Sequence, residues 1–219
     1  RIRFWRPTQE QAAPVLHFAH ATGFHAHTYA PLFHQLRDLP ICAWDARGHG
    51  SSAVAAALDS FRSWRLYARD LHLWLRQQGQ PVWLVGHSVG ATVSALVAAR
   101  YPQQVRGLIL IEPVFLSRRQ GWSLRFGQLS GLAKGVSLAA AAARRRAVFA
   151  NSEEIFDSYF QRGAFKTWPE AWLRAYIEHG FVPDPQGLRL ACSPEWESRS
   201  FALTLANPWA LVRRIKVPM

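Results

Sequence analysis

The sequence predicts a doubly wound, mostly parallel α/β sheet with an inserted helical lid, and the pattern of apolar runs carries this prediction. Four short runs recur in the first half of the chain, at 15–19, 41–44, 82–85 and 108–111. Each run is continuous rather than alternating, which is typical of parallel strands that are covered on both faces. Helix-forming stretches separate the runs, and this alternation builds a parallel sheet.

Two of the intervening stretches have clear helix patterns. The first runs from Phe61 to Gly79, where the glycine is a stop signal. Its large apolar residues share one helical face, at Trp64, Tyr67, Leu71 and Leu75. The second stretch, from Val89 to Tyr101, is small and apolar, so we expect a helix packed closely on the sheet.

The pattern changes after Pro113, because helix signals then follow one another without apolar strands. Asn151 and Thr167 are each followed three residues later by glutamate, which is a helix-start signal, and Gly180 ends the second helix. Prolines and a glycine between 181 and 192 favour a turn and a small hairpin.

The chain has 219 residues, enough for one α/β domain with a sizeable core. We expect residues 1–113 to form this core and residues 114–206 to form a helical cap or lid. Residues 207–219 then begin the returning core strand, near Ile215, and we expect the last strands to lie beyond this sequence.

The formal net charge of +12 raises the question of an anionic partner. The arginines are scattered along the chain, and no basic and aromatic recognition motif accompanies them. We therefore expect no nucleic-acid partner and interpret the charge as a solvated surface. No apolar run has the length of a membrane span. Cys42 and Cys192 have no motif spacing, Cys42 is expected to be a buried free thiol, and together they predict a cytoplasmic location.

The motif Gly86-His87-Ser88-Val89-Gly90 lies between a predicted strand and a predicted helix. That order gives a sharp turn, which holds the serine in a strained conformation and exposes its oxygen. Glycines stand two residues to either side because larger side chains there would collide with the strand and the helix. Ser88 is therefore the candidate nucleophile.

A second segment, "HFAHATGFHAHTYAPL", follows the first apolar run and so lies beside the serine at the carboxyl end of the sheet. Its backbone N–H groups can stabilise an oxyanion together with the N–H of Val89. Thr22 is the predicted donor, and Ala21 is the close alternative. His20, His25 and His27 have no acidic or cysteine ligand beside them, so we expect them to brace the loop rather than to bind a metal.

"HATGF", "DARGHGSS" and "GHSVG", in this order, resemble the α/β-hydrolase superfamily. "GLRLACSPEWES", from Gly187 to Ser198, also resembles the lid segment of bacterial hydrolases that carry the HATGF loop. The resemblance implies an α/β-hydrolase fold and a serine hydrolase, and it treats Asp45 and His49 as parts of a structural turn.

The resemblance also implies a triad in the order serine, acid, histidine. The last histidine in the sequence is His179, in a predicted lid helix, so we expect the catalytic histidine beyond Met219 and keep His179 as an alternative base. Glu112 ends the fourth apolar run and is the tentative acid, in a position similar to that of the acid in haloalkane dehalogenases. A carboxylate beyond Met219 is the other possibility, and Ser88 in place of aspartate disfavours dehalogenase chemistry.

We therefore expect the parent protein to be a carboxylic-ester hydrolase that forms an acyl-enzyme on Ser88. Aromatic residues of the lid predict an apolar small-molecule substrate. No metal or organic cofactor is implied. Two alternatives stay open: a cofactor-free carbon–carbon hydrolase or acyltransferase on the same fold, and a non-catalytic binding protein, which the strained serine disfavours.

Overall fold

A five-stranded sheet forms the centre of the protein. The computed structural model describes the backbone of residues 2–5 and describes residues 16–116, 138–203, 205 and 207–219 in full. The strands are Ile2–Trp5 (β1), Leu16–Ala19 (β2), Ile41–Trp44 (β3), Val82–His87 (β4) and Val105–Ile111 (β5). Their order is β1-β3-β2-β4-β5, and β1 alone among them is antiparallel to its neighbour. The predicted mostly parallel sheet is confirmed, with β1 as an addition that the sequence analysis did not predict.

The three core helices are Ala30–Gln35 (α1), Arg65–Leu75 (α2) and Val89–Arg100 (α3). Two of them, α2 and α3, follow the predicted patterns, and α1 is one that the sequence analysis did not predict. The predicted face of α2 is buried, since Tyr67, Leu71 and Leu75 are each at most 3% exposed. The helix α3 is buried along most of its length because small residues let it approach the sheet closely. It starts directly after β4, so Ser88 occupies the connection.

Residues 138–203 add four helices and a second, smaller sheet. The elements are Leu138–Ala143 (α4), Val148–Phe149 (β6), Ser152–Tyr159 (α5), Glu170–Gly180 (α6), Phe181–Asp184 (β7), Gly187–Leu190 (β8) and Pro194–Ala202 (α7). The predicted hairpin is confirmed as β7 and β8, but the expectation of a segment without further strands is wrong, because β6 pairs with β8 as a third strand. A two-residue strand is too short to leave an apolar run in the sequence.

The predicted helix starts had different outcomes. Asn151 caps α5, and its side-chain oxygen accepts a hydrogen bond from the Glu154 amide at 2.9 Å, as the sequence indicates. The helix expected from Thr167 begins instead at Glu170, because Pro169 holds the extended conformation of an N-cap. Gly180 ends α6 as predicted.

The chain beyond α7 returns to the central sheet. A short helix, Pro208–Val212 (α8), packs near α3. Residues 215–219 have no assigned strand, but the Leu108 amide of β5 donates to the Pro218 carbonyl at 2.8 Å. Within the described ranges, no helix combines the length and apolar character needed to cross a membrane. Cys42 and Cys192 are both buried free thiols.

Candidate active site

Ser88 stands in a sharp turn between β4 and α3. Its backbone has φ 53° and ψ −117°, a conformation that is rare for a residue with a side chain. The Ser88 amide donates to the Ile111 carbonyl of β5 at 2.8 Å, which fixes the turn to the neighbouring strand. The strain is therefore held by the sheet, at the position where the sequence places the nucleophile.

The two glycines of the motif allow this close approach. A Cβ atom on Gly86 would lie 2.5 Å from the Ala91 nitrogen, and one on Gly90 would overlap the Ala19 carbonyl. Real Cβ atoms do not approach other atoms so closely, so the backbone would have to move. The Ser88 turn consequently packs directly on the segment that follows β2.

That neighbouring segment carries the predicted oxyanion donors. The register pairs Ala19 with Gly86, which brings the loop after β2 beside the start of α3. The Ala21 amide donates to the Tyr29 hydroxyl at 3.1 Å, so this N–H group is already used in a hydrogen bond and is not free to bind an oxyanion. The amides of Thr22 and Val89 have no hydrogen-bond partner among the described residues. A cavity of about 10 Å³, near the smallest that can hold one water molecule, is lined by both residues.

His20 and Asp45 brace residues 20–26, which are called the oxyanion loop here after the donor predicted at Thr22. His20 Nδ1 donates to the Ala21 carbonyl at 2.7 Å, and its Nε2 accepts from the Ala46 amide at 2.9 Å. Burial lowers the pKa of His20 to about 4, so the ring is neutral in this arrangement. Burial opposes ionisation of Asp45, but hydrogen bonds from the Ala26 and Ser51 amides hold its pKa below the usual value. The contacts of His20 agree with the bracing role expected from the sequence, and those of Asp45 agree with the structural turn that the resemblance implies.

His87 lies next to the serine in sequence but does not reach its hydroxyl. Its Nδ1 accepts from the Tyr29 hydroxyl at 2.8 Å, and its Nε2 lies 3.8 Å from a Glu112 carboxylate oxygen. Burial lowers the pKa of His87, while the Glu112 carboxylate opposes that shift. A chain of contacts thus runs from the Ala21 amide through Tyr29 and His87 to Glu112.

Glu112 is exposed at the end of β5, on the opposite side of Ser88 from the oxyanion loop. Its side chain is 85% exposed, and its backbone φ is 48°. Among the described residues, the other side-chain-bearing residues with positive φ are Ser88 and Gln161. The structure therefore places the tentative acid beside the strained serine, with His87 as its neighbour.

The remaining histidines do not form a site around Ser88. His179 packs against His27 with ring centroids 3.8 Å apart, and it lies 3.5 Å from Glu178. His25 Nε2 contacts the Tyr176 carbonyl at 2.8 Å. In the described ranges, no group of three or more histidine, cysteine, aspartate or glutamate residues could hold a metal ion.

The helix α7 docks directly beneath the oxyanion loop. The Ser200 hydroxyl forms a hydrogen bond with the Thr22 hydroxyl at 2.8 Å, and a Cβ atom on Gly23 would overlap the Glu197 carboxylate. Glu197 is bound in turn by Arg145, whose Nη1 lies 2.8 and 2.7 Å from the two carboxylate oxygens. Arg145 Nη2 also donates to the hydroxyls of Tyr159 and Tyr176, at 3.1 and 3.0 Å. Residues 138–203, called the cap from here on, thus contact the loop that carries Thr22 through Ser200 and Glu197.

An apolar cavity of about 230 Å³ opens between the core and α6. Phe24 of the oxyanion loop and His87 of the turn line one side of it. Trp168, Pro169 and Trp172 line the other side. Its position beside the turn makes it a candidate pocket for an apolar group.

Sequence reasoning missed the residues that act at a distance. Tyr29 contacts His87 across 58 positions, although its other partner, Ala21, is only eight positions away. Ser200 contacts Thr22 across 178 positions, and Arg145 contacts Glu197 across 52. For α7 a signal did exist, because the segment "GLRLACSPEWES" resembles the lid segment of related hydrolases. For Tyr29 and Arg145 no local pattern distinguishes them from ordinary core and surface residues.

The mostly parallel sheet, the flanking helices and the turn at Ser88 define an α/β hydrolase. Solved structures share this fold: an E-2-(acetamidomethylene)succinate hydrolase superposes with a TM-score of 0.68, at 21% identity, over 99% of this chain and 73% of that one. The thioesterase domain from the curacin biosynthetic pathway gives a TM-score of 0.71, at 20% identity, over 99% of this chain and 75% of that one. Residues 10–155 match the hydrolase family described as serine aminopeptidase, S33, and the chain belongs to that family.

Curated relatives of this chain include two lipases. The monoglyceride lipase of Mus musculus is 32% identical over 128 residues, which are 55% of this chain and 41% of the relative. Lipase LipV of Mycobacterium tuberculosis is 38% identical over 97 residues, which are 43% of this chain and 35% of the relative. The chain thus spans about two fifths of the length of the curated relatives that it matches.

Proposed function

We propose that the protein is a serine hydrolase of carboxylic esters, in which Ser88 forms an acyl-enzyme. The observation that carries the proposal is the backbone of Ser88, at φ 53° and ψ −117° between a strand and a helix. Such strain costs about 1–3 kcal/mol, and mere ligand binding does not require it. The relatives named as lipases support ester hydrolysis.

The first step is attack of the Ser88 oxygen on the ester carbonyl. The negative charge that develops on the carbonyl oxygen is stabilised by the amides of Thr22 and Val89. Val89 is the first residue of α3, so its amide lacks an acceptor within the helix and stands at the positive end of the helix dipole. The commitment of the Ala21 amide to Tyr29 favours Thr22 as the second donor. The alcohol portion of the ester leaves with the Ser88 hydroxyl proton, which the general base transfers, and water then hydrolyses the acyl-enzyme to the free acid and regenerates Ser88.

The proposal takes its general base from a histidine outside residues 1–219. All nine histidines lie in the described ranges. The hydrogen bonds that their rings form there go to groups other than the Ser88 hydroxyl. His87 is held by Tyr29, and His179 packs on His27. Glu112 is the proposed acid, since it follows β5 directly beside the serine turn.

The apolar cavity supports an apolar acyl or alcohol group as the part of the substrate that is recognised. Phe24 and His87 line it next to the proposed oxyanion site, and two tryptophans of the cap close its far side. Burial of such a group contributes about 25 cal/mol per Å² of apolar surface, which favours esters with a hydrocarbon portion. A monoacylglycerol and a short aryl ester are therefore suitable test substrates.

A fluorophosphonate probe tests the nucleophile directly. The protein, extended to include the expected histidine, should be labelled at Ser88 and should hydrolyse an aryl ester. Ser88→Ala should abolish both signals, whereas Ser60→Ala, at an exposed serine of a surface turn, should leave both unchanged. Absence of labelling at Ser88 under conditions that label ordinary esterases would sink the proposal.

A further inference from the structure

Four arginines line a groove of about 370 Å³ between α2, α3 and residues 211–214, at the end of α8. They come from three separate parts of the chain, and none of the described residues lining the groove is acidic. The four are Arg65, Arg69, Arg100 and Arg214. Positive charge that is scattered along the sequence is therefore gathered by the fold at one place.

None of these four side chains has an ion pair with another residue in the part of the chain that the structure describes. Other arginines do have such partners: Arg47 binds Asp70 at 2.9 Å, and Arg174 binds Glu170 at 2.7 Å. Guanidinium groups that share a groove repel one another unless an anion lies between them. The groove thus has the charge of an anion site, and none of the described residues supplies a carboxylate to it.

The position of Arg65 and Arg69 is unfavourable for α2 on its own. Arg65 is the first residue of that helix, where a positive charge opposes the helix dipole. Arg69 follows at a spacing of four, so the two like charges face each other on the same side of the helix. Arg100, at the C-terminal end of α3, is favourably placed and needs no ligand to explain it.

The arginines and the apolar side chains of the groove together indicate which class of ligand it can bind. The guanidinium groups form a rim that can bind phosphate oxygens with paired hydrogen bonds, and a compact phosphate carries more charge than a carboxylate. Leu96 and Leu211 contribute apolar surface to the same groove. Its volume lies in the range of small-molecule sites. We infer that the groove binds a small organic phosphate, with the phosphate on the arginines and the apolar part on the leucines.

Calorimetric titration with 1-naphthyl phosphate at low salt tests the inference. The pair Arg69→Gln with Arg214→Gln should weaken binding by at least about tenfold, since each charge-assisted hydrogen bond contributes strongly. The control pair Arg37→Gln with Arg213→Gln removes the same charge from exposed positions that do not line the groove. It should change the affinity by less than about twofold.

Ester hydrolysis, measured in parallel, should be unchanged in both double variants. The change in phosphate affinity is therefore independent of the proposed active site. Equal losses of affinity in the two pairs would show an effect of net charge alone and would overturn the inference. Failure to bind 1-naphthyl phosphate would also overturn it. So would binding to vesicles of phosphatidylglycerol without binding of the soluble phosphate, because the groove would then belong to a membrane contact.

Discussion

Ser88 and Glu112 have unusual backbones and stand at the ends of adjacent parallel strands. Their φ angles are 53° and 48°, and both follow strands that pair through His87 and Ile111. Each such conformation costs about 1–3 kcal/mol in a residue other than glycine, so the surrounding sheet must hold both. Because two strained residues lie side by side at the carboxyl end of the sheet, Glu112 should be tested together with the serine.

Glu112→Gln should lower ester turnover by up to about 10⁴-fold, because a triad carboxylate orients and stabilises the histidine base. The fold should be intact, since the side chain is 85% exposed. Steady-state kinetics and circular dichroism of the extended protein measure the two effects. Glu178→Gln is the matched control, because Glu178 is an exposed glutamate beside His179 in the cap. A loss of less than about tenfold for Glu112→Gln would place the acid elsewhere.

At the scale of elements, α7 joins the cap to the core. Trp196 stacks on Phe61 with centroids 4.4 Å apart, and its ring nitrogen donates to the Tyr67 hydroxyl at 2.8 Å. Glu197 is 5% exposed, and it holds the ion pair with Arg145 beneath the oxyanion loop. The helix therefore stabilises the core and positions the proposed oxyanion donor at the same time.

Glu197→Gln should destabilise the protein by about 3 kcal/mol, since it leaves the Arg145 charge largely buried without its partner. It should also lower the turnover of esters, because Gly23 of the oxyanion loop packs against that carboxylate. Denaturant unfolding and kinetics measure both quantities. Glu170→Gln removes the partner of Arg174 in an exposed pair and should cost less than about 1 kcal/mol. Similar losses in the two variants would contradict the positioning role.

The elements that the sequence predicted are those with local signals. Apolar runs marked β2 to β5, the stripe of Trp64, Tyr67, Leu71 and Leu75 marked α2, and the glycine spacing marked the turn at Ser88. Contacts between distant residues could not be predicted, because Thr22 meets Ser200 across 178 positions and Arg145 meets Glu197 across 52. The arginine groove could not be predicted either, because its residues come from distant parts of the sequence.

Over the whole molecule, buried neutral histidines link stability to pH. Burial lowers the pKa of His20 and His25 to about 4 and that of His17 and His49 to about 3. The unfolded chain binds these protons near pH 6.5, so it holds more protons than the folded state between about pH 6.5 and 4. Stability should therefore rise with pH through this window and fall as the solution is acidified.

His17→Leu should reduce that pH dependence by up to about 1.4 kcal/mol per pH unit, the contribution of one proton. The His17 ring lies between Trp44 and Trp74, and its nitrogens have no hydrogen-bond partner among the described residues. Leucine should be tolerated there. Denaturant unfolding at pH 4.5, 5.5 and 6.5 measures the slope. Cys42→Ala, opposite His17 on β3, should lower stability equally at each pH. An unchanged slope for His17→Leu would show that this histidine does not carry the effect.

Because Gly23 lies against the Glu197 carboxylate, residues 138–203 cannot be exchanged without regard to the groups that anchor them to the core. A graft that replaced residues 138–203 would remove the carboxylate, the Ser200 hydroxyl and the arginine that anchors them, all in one operation. A change of substrate preference that keeps these groups would instead act on the walls of the apolar cavity, such as Trp168 and Trp172. Recombination would succeed only with donors that carry the same three anchoring groups.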